Sequence, residues 1–286
     1  MGRIDYKGKR IWITGASSGI GEELAIQLNA LGAFTILSAR RTDKLEEVKN
    51  RCAFPDNTLL IPLDLTDESS INNAVNSVIQ HGELDLVINN AGIAQKGLAL
   101  ENSMQVERMI METNYFGTIA LTKAILPHFL NQGHGWFAVV TSIAGIVGVP
   151  GRTAYAASKH ALHGFFDSLR AEQYSCPIDV TIIMPGFINT SITIKELKGN
   201  GEEYGKVEKS HRLGLAADVC ASKIIRKLAY KRKNIKVGGL EIFSLYLSRF
   251  APNLYDFLIR NHPMKRWRIF MRYILFKKQQ HSTKDH

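Results

Sequence analysis

Arg10-Ile11-Trp12-Ile13-Thr14-Gly15-Ala16-Ser17-Ser18-Gly19-Ile20-Gly21 is the stretch that decides the fold. Five residues dominated by β-branched and aromatic side chains run into a turn with three glycines, and a helical pattern starts directly behind it. Glycines let the chain turn tightly and let a phosphate approach the backbone. The first turn of the helix offers unpaired N–H groups and the positive end of its dipole. The spacing, G-x-x-x-G-x-G, is a relative of the dinucleotide fingerprint. Gly15, Ser17, Ser18, Gly19, Ile20 and Gly21 are therefore candidate cofactor-binding residues.

The same alternation continues outward. Strand-like runs fall at Arg10–Thr14, Phe34–Ala39, Leu59–Leu63, Leu84–Asn89, Trp136–Ser142 and Asp179–Met184, with a seventh near Ile235–Val237. Helical patterns lie between them, at about 19–32, 43–51, 67–81, 104–131, 153–175 and 216–231. Apolar strands separated by helices imply an α/β fold with a parallel sheet covered on both faces. Right-handed crossovers make it a doubly wound Rossmann-type sheet of about seven strands, with a C-terminal helical extension. Residues 191–214 break the alternation. They are polar, carry Gly199, Gly201 and Gly205, and read as a mobile flap.

The expected organisation is a catalytic domain over residues 1–238 and a basic, aromatic extension over 239–286. Charge supports the division. Residues 223–286 hold 16 Lys and Arg against 3 Asp and Glu, whereas residues 1–222 hold 20 against 23. A nucleic-acid protein would spread a basic face over its folded domain, so no nucleic acid is expected. A basic tail interleaved with aromatic residues suits an anionic membrane surface or a partner. Cys52, Cys176 and Cys220 are scattered and odd in number, which points to reduced thiols and no metal. The chain starts without a signal-like segment and has no apolar run of about 20 residues, so a cytoplasmic setting with peripheral membrane contact is expected.

The second strand ends in Ala39-Arg40-Arg41. An acidic residue here would bind the ribose 2′-hydroxyl of NAD, whereas a guanidinium matches a 2′-phosphate. Arg40 and Arg41 thus favour NADP(H) over NAD(H). Further on, Tyr155 and Lys159 stand one helical turn apart, with Ser142 thirteen residues before the Tyr. A nearby ammonium favours tyrosinate and should bring Tyr155 toward the range of a general acid or base. Tyr273 and Lys277 repeat the spacing without the accompanying motifs and read as a helical surface. His160, His163 and Ser158 read as packing or surface residues of the same helix.

Taken together, these motifs resemble the short-chain dehydrogenase/reductase family, in its typical single-domain branch, over about residues 8–238. Thr14 to Gly21 matches the family's cofactor turn. Asp64-Leu65 stands where the family holds the adenine ring. Asn89-Asn90-Ala91-Gly92 matches the motif that stabilises the sheet and lines the cofactor, through Asn90, Ala91 and Gly92 here. Pro185-Gly186, Ile188 and Thr190 match the segment that closes over the nicotinamide and pyrophosphate. Asn114, Ser142, Tyr155 and Lys159 match the catalytic set.

The resemblance implies that Tyr155 exchanges a proton with the substrate oxygen while Ser142 orients that oxygen. Lys159 would hold the nicotinamide ribose and lower the Tyr155 pKa, and Asn114 would kink a long helix and hold a relay water. It further implies a homodimer or homotetramer and an NADP(H)-dependent enzyme acting on CH–OH/C=O groups of a small carbonyl or alcohol. A helical wheel after Pro263 places Met264, Trp267, Phe270, Met271, Ile274 and Leu275 opposite Lys265, Arg268 and Arg272. Such extensions tilt the substrate expectation toward an apolar or lipid-like molecule. The rival reading is a dinucleotide-binding regulator or scaffold tethered by its tail.

Overall fold

The computed structural model describes residues 3–190, 196–205 and 213–261. The expected wheel after Pro263 and the Tyr273–Lys277 pair lie outside them. The chain divides into two compact units, Met1–Ile242 and Phe243–His286.

In the first unit the strands are β1 Arg10–Thr14, β2 Phe34–Ser38, β3 Thr58–Leu60, β4 Leu86–Asn89, β5 Gly135–Val140, β6 Ile178–Pro185, β7 Ile188–Asn189, β8 Leu215–Ala216 and β9 Asn234–Val237. The helices are α1 Gly19–Ala30, α2 Thr42–Arg51, α3 Glu68–Gln80, α4 Met104–Met111, α5 Gly117–Gln132, α6 Thr153–Glu172 and α7 Ala217–Leu228. Seven strands form one sheet in the order β3-β2-β1-β4-β5-β6-β9, every neighbouring pair parallel. The order reverses between β1 and β4. A crevice at the carboxyl ends of those strands is where a doubly wound sheet binds its ligand.

The period-2 pattern of the strands builds the two core layers. Ile11, Ile13, Leu86, Ile88, Ala138 and Val140 face α1, α2 and α7, meeting Leu24, Leu28, Leu45, Ile224 and Leu228. Trp12, Val87, Phe137, Val139 and Ile182 face the other way, toward α3, α5 and α6, meeting Val78, Leu121, Phe129, Leu162 and Phe166.

Two details differ from expectation, and a third, at Asn114, gives form to the kink that the resemblance implied. β5 ends at Val140, so Ser142 is off the sheet and caps a short turn, Ile143–Gly145, by accepting from Ala144 N at 3.1 Å. β3, an edge strand paired with β2, ends at Leu60 rather than Leu63, although Ile61 N and Leu63 N still donate to Leu37 O and Ala39 O at 3.0 and 3.2 Å. The long helix expected over 104–131 is divided by a π-helical turn at Glu112–Phe116. One wide turn of this kind shifts the helical register and redirects the side chains that follow.

The segment expected to be a mobile flap is fastened where it is described. Leu197 N donates to Ala94 O at 2.9 Å, Lys96 N donates to Leu197 O at 2.8 Å, and Ser103 N donates to Gly199 O at 2.9 Å. The Lys96 ammonium sits 3.9 Å from the centre of the Tyr204 ring, a cation–π contact. β7 and β8, unforeseen in the sequence, pair at the two ends of the wider excursion.

In the second unit, α8 Phe243–Phe250 and α9 Pro252–Arg260 pack on each other. No helix among the described residues is long and apolar enough to cross a membrane.

Candidate active site at the carboxyl ends of β1, β4 and β5

The turn after β1 is built around glycine. Gly15 and Gly19 adopt φ of 65° and 63°, which side-chain-bearing residues avoid. A Cβ on Gly15 would lie 2.7 Å from Ala91 Cα, and one on Gly21 would lie 2.4 Å from both Asn90 Nδ2 and Gly15 O. The turn is thus pressed onto the Asn90-Ala91-Gly92 loop after β4. Asn90 Nδ2 donates to Thr14 O at 3.0 Å and Gly15 O at 3.2 Å. Thr14 Oγ1 in turn accepts from the backbone N–H groups of Asn90 and Ala91, both at 3.1 Å.

α1 opens without a side-chain cap: Ser18, the residue before it, makes no capping bond. Its first N–H groups face the turn, which suits a pyrophosphate. Thr190 closes this end: a Cβ on Gly19 would lie 3.2 Å from the Thr190 Cβ. Arg41 reaches across from the end of β2, its Nη2 3.4 Å from Ser17 Oγ. Arg40 is exposed beside it. A bound dinucleotide fits these residues: the glycines leave no room for side chains, Ser18 leaves the helix start without a side-chain cap, and a cation stands beside the turn. Ile20 and Leu65 sit in the adjoining apolar layers. Asp64 Oδ1 is engaged locally by Thr66 N at 2.9 Å and Thr66 Oγ1 at 2.8 Å.

The four expected catalytic residues converge. Tyr155, near the start of α6, has its phenol close enough to the Ser142 hydroxyl for that hydroxyl to favour the ionised form. Lys159, one turn on, is only 4% exposed and donates from Nζ to Val140 O at 2.9 Å. Its ammonium lies 5.9 Å from the centre of the Tyr155 ring. Asn114, fully buried in the π-turn, accepts from Ile93 N at 2.8 Å and donates to Ile93 O at 2.9 Å and Ser158 Oγ at 3.0 Å. Gly92 joins the two: a Cβ there would lie 3.0 Å from Asn114 Oδ1 and 3.4 Å from Lys159 Nζ.

The electrostatics correct one expectation. Burial pushes the Tyr155 phenol up from its ordinary pKa, and this outweighs the downward pull of the Ser142 hydroxyl and the Arg152 charge. Burial also draws Lys159 down to about 8. In the protein alone, desolvation disfavours both charged forms, and the Lys159 ammonium is held on a carbonyl rather than on the phenol.

Several residues at the site escaped the sequence reading. Ser158 donates to Tyr155 O at 2.8 Å while accepting from Asn114, so it is a link and more than packing. Glu241 Oε1 accepts from Phe187 N and Gly239 N, both at 2.9 Å, and so ties the Pro185-Gly186-Phe187 segment to the turn after β9. Arg152 and Glu196 form an ion pair at 2.7 Å beside Tyr155. No local pattern marks any of these, since each depends on residues far apart in the chain. His163 stays structural, with Nε2 3.1 Å from Thr141 Oγ1 and burial holding its pKa near about 4. Among the described residues no cluster could hold a metal ion.

A family model described as short chain dehydrogenase matches residues 9–201. The chain is 39% identical over 266 residues to the Anopheles gambiae protein called dehydrogenase/reductase SDR family protein 7-like, covering 90% of this chain and 84% of that one. A short-chain dehydrogenase/reductase from Burkholderia phymatum, solved in complex with NAD, superimposes with a TM-score of 0.77 at 20% identity, covering 88% of this chain and 96% of that one. A Burkholderia cenocepacia short-chain dehydrogenase in complex with NADP gives a TM-score of 0.74 at 21% identity, covering 90% and 99%.

Proposed function

The chain belongs to the short-chain dehydrogenase/reductase family, and on that premise we propose that it is an NADP(H)-dependent reductase of small apolar carbonyl compounds. The observation that carries the reading is the buried Tyr155 phenol beside Ser142, with the Lys159 ammonium one turn behind at 5.9 Å from the ring centre and Asn114 packed against Gly92. The phenol is protonated at neutral pH, as donation to a carbonyl oxygen requires, and the upward push of burial has to be offset in the reacting complex for the proton to leave readily. Ser142 is placed to share that oxygen. Lys159, drawn down to about 8, can replace a proton lost from the phenol, and Asn114 would hold the water through which Lys159 is recharged. A bound nicotinamide supplies the hydride; the protein's task is to align a carbonyl with it and exclude water.

The choice of NADP(H) rests on Arg41, which reaches the phosphate-binding turn, and on the absence of an acid after Ala39. Relatives of this fold have been solved with NAD and with NADP, so the side chains at this corner carry the argument. The apolar substrate class is supported by the aromatic second unit, where exposed Phe243, Phe250 and Phe257 are compatible with a lipid surface near which such substrates concentrate. A homodimer or homotetramer and peripheral membrane contact complete the proposal.

The test is turnover of NADPH and NADH against a panel of apolar ketones and aldehydes, and of NADP⁺ against the matching alcohols. Reduction with NADPH supports the reading. Tight nucleotide binding without turnover across the panel would favour a regulatory or scaffold role.

A further inference from the structure

We propose that the Arg152–Glu196 ion pair is a positioning device for Tyr155, fastening the 196–205 segment to the start of α6 and setting the balance of charge beside the phenol. The inference rests on the reductase reading, in which Tyr155 gives up the proton.

Arg152 is the residue before α6 and lies three positions ahead of Tyr155. Its Nη2 is 2.7 Å from Glu196 Oε1, with the two side chains only 12% and 1% exposed. A pair this enclosed loses much of its hydration, so its retention needs a structural reason. The backbone around it supplies one. Gly97 bridges to Arg152 on one side, while Gln95 bridges to Leu197 on the other. Tyr204 N donates to Glu196 O at 2.6 Å, which turns the segment back on itself at this residue. Three chain stretches, near 95, 152 and 196, thus meet at the pair.

The same two charges act on the phenol in opposite senses. The Arg152 guanidinium favours tyrosinate, and the Glu196 carboxylate opposes it. Among the described residues, the other groups facing the phenol are the neutral Ser142 hydroxyl, from the turn after β5, and Lys159 on α6 itself. The fastened segment therefore sets a negative charge near the proton donor while a positive one stands beside it.

The experiment compares the full-length parent with Glu196→Gln, Arg152→Gln, Arg152→Lys and the double Gln variant. One readout is the pH dependence of NADPH oxidation with a carbonyl substrate. The second is tyrosinate absorbance titrated against Tyr155→Phe as the blank, which requires no substrate. The third is tryptic cleavage after Lys198 under native conditions. Glu196→Gln should move the alkaline limb and the tyrosinate titration down by about one pH unit, and Arg152→Gln should move both up by a similar amount. The double variant should lie between them, and cleavage after Lys198 should rise severalfold in all three. Arg152→Lys keeps the charge, so its limb should stay in place. Shifts of the same sign in the two single variants, or no shift in either, would overturn the proposal. If the single Gln variants do not fold, Arg152→Lys and the double variant decide, and a displaced Arg152→Lys limb overturns it. If no form turns over a substrate, the reductase reading fails while the tyrosinate titration still decides this one.

Discussion

Asn114 donates from its side chain to the Ser158 hydroxyl at 3.0 Å, joining the π-turn to the helix that carries Tyr155 and Lys159. Ser158 hands the bond on to Tyr155 O at 2.8 Å. Replacing Ser158 by Ala leaves a buried amide hydrogen without its acceptor, which costs about 1–3 kcal/mol. Chemical or thermal unfolding should show that loss, with kcat falling more than the cofactor affinity. An unchanged midpoint would mean that Asn114 is oriented by Ile93 alone.

Tyr155→Phe keeps the ring and its packing but removes the transferable proton. Reduction should fall by roughly 10² or more, the scale of lost general-acid help, while NADPH still binds. Near-parental turnover with a verified substrate would remove Tyr155 from the mechanism.

Arg41 reaches the cofactor turn at Ser17. If it holds a 2′-phosphate, Arg41→Leu should weaken NADPH binding about tenfold or more and leave NADH nearly unaffected, since a charge-assisted contact contributes about 1.5–3 kcal/mol. Fluorescence titration of the parent and the variant with both reduced cofactors measures it. A parent that prefers NADH would contradict the assignment.

Burial lowers the Lys159 pKa to about 8 in the folded protein, below its unfolded value of about 10.4. A depressed lysine pKa means the native state pays for a charged ammonium at low pH. The penalty is fully present below about 8 and fades as pH rises toward the unfolded value. Lys159→Met should therefore stabilise the cofactor-free protein at pH 7 by about 1–3 kcal/mol and abolish turnover. The gain should shrink as the pH is raised from 8 to 10. Denaturant melts across that range test the sign, and a variant less stable than the parent at pH 7 would refute it.

The second unit exposes Phe250 and Phe257 at 82% and 61%, and residues 223–286 carry 16 Lys and Arg against 3 Asp and Glu. Full-length protein should co-sediment with anionic vesicles, less so at high salt, because exposed charges are screened over about 8–10 Å at physiological strength. Phe250→Ser with Phe257→Ser should weaken binding about tenfold or more, given about 1.5–3 kcal/mol for each buried aromatic. Failure of the parent to bind anionic vesicles would defeat the membrane proposal.

The parallel sheet could be read from local pattern alone. Strand runs such as Ile11-Trp12-Ile13 and the helical stretches between them satisfy their backbone hydrogen bonds and bury apolar faces in only one economical arrangement. Gly15, Gly19 and Gly21 were legible because they lie within seven residues of one another. Tyr155 and Lys159 were legible because four residues on a helix share a face. The tertiary structure decided what depends on distant closures. It took Ser142 off β5, gave the kink expected at Asn114 its π-helical form, linked Asn114 to Ser158, and joined Arg152 to Glu196 across 44 residues of chain. It also reversed the expected direction for Tyr155, because the sequence contains the neighbouring charge but not the burial. Desolvation depends on every segment that covers a group, and that cover exists only once the chain has folded.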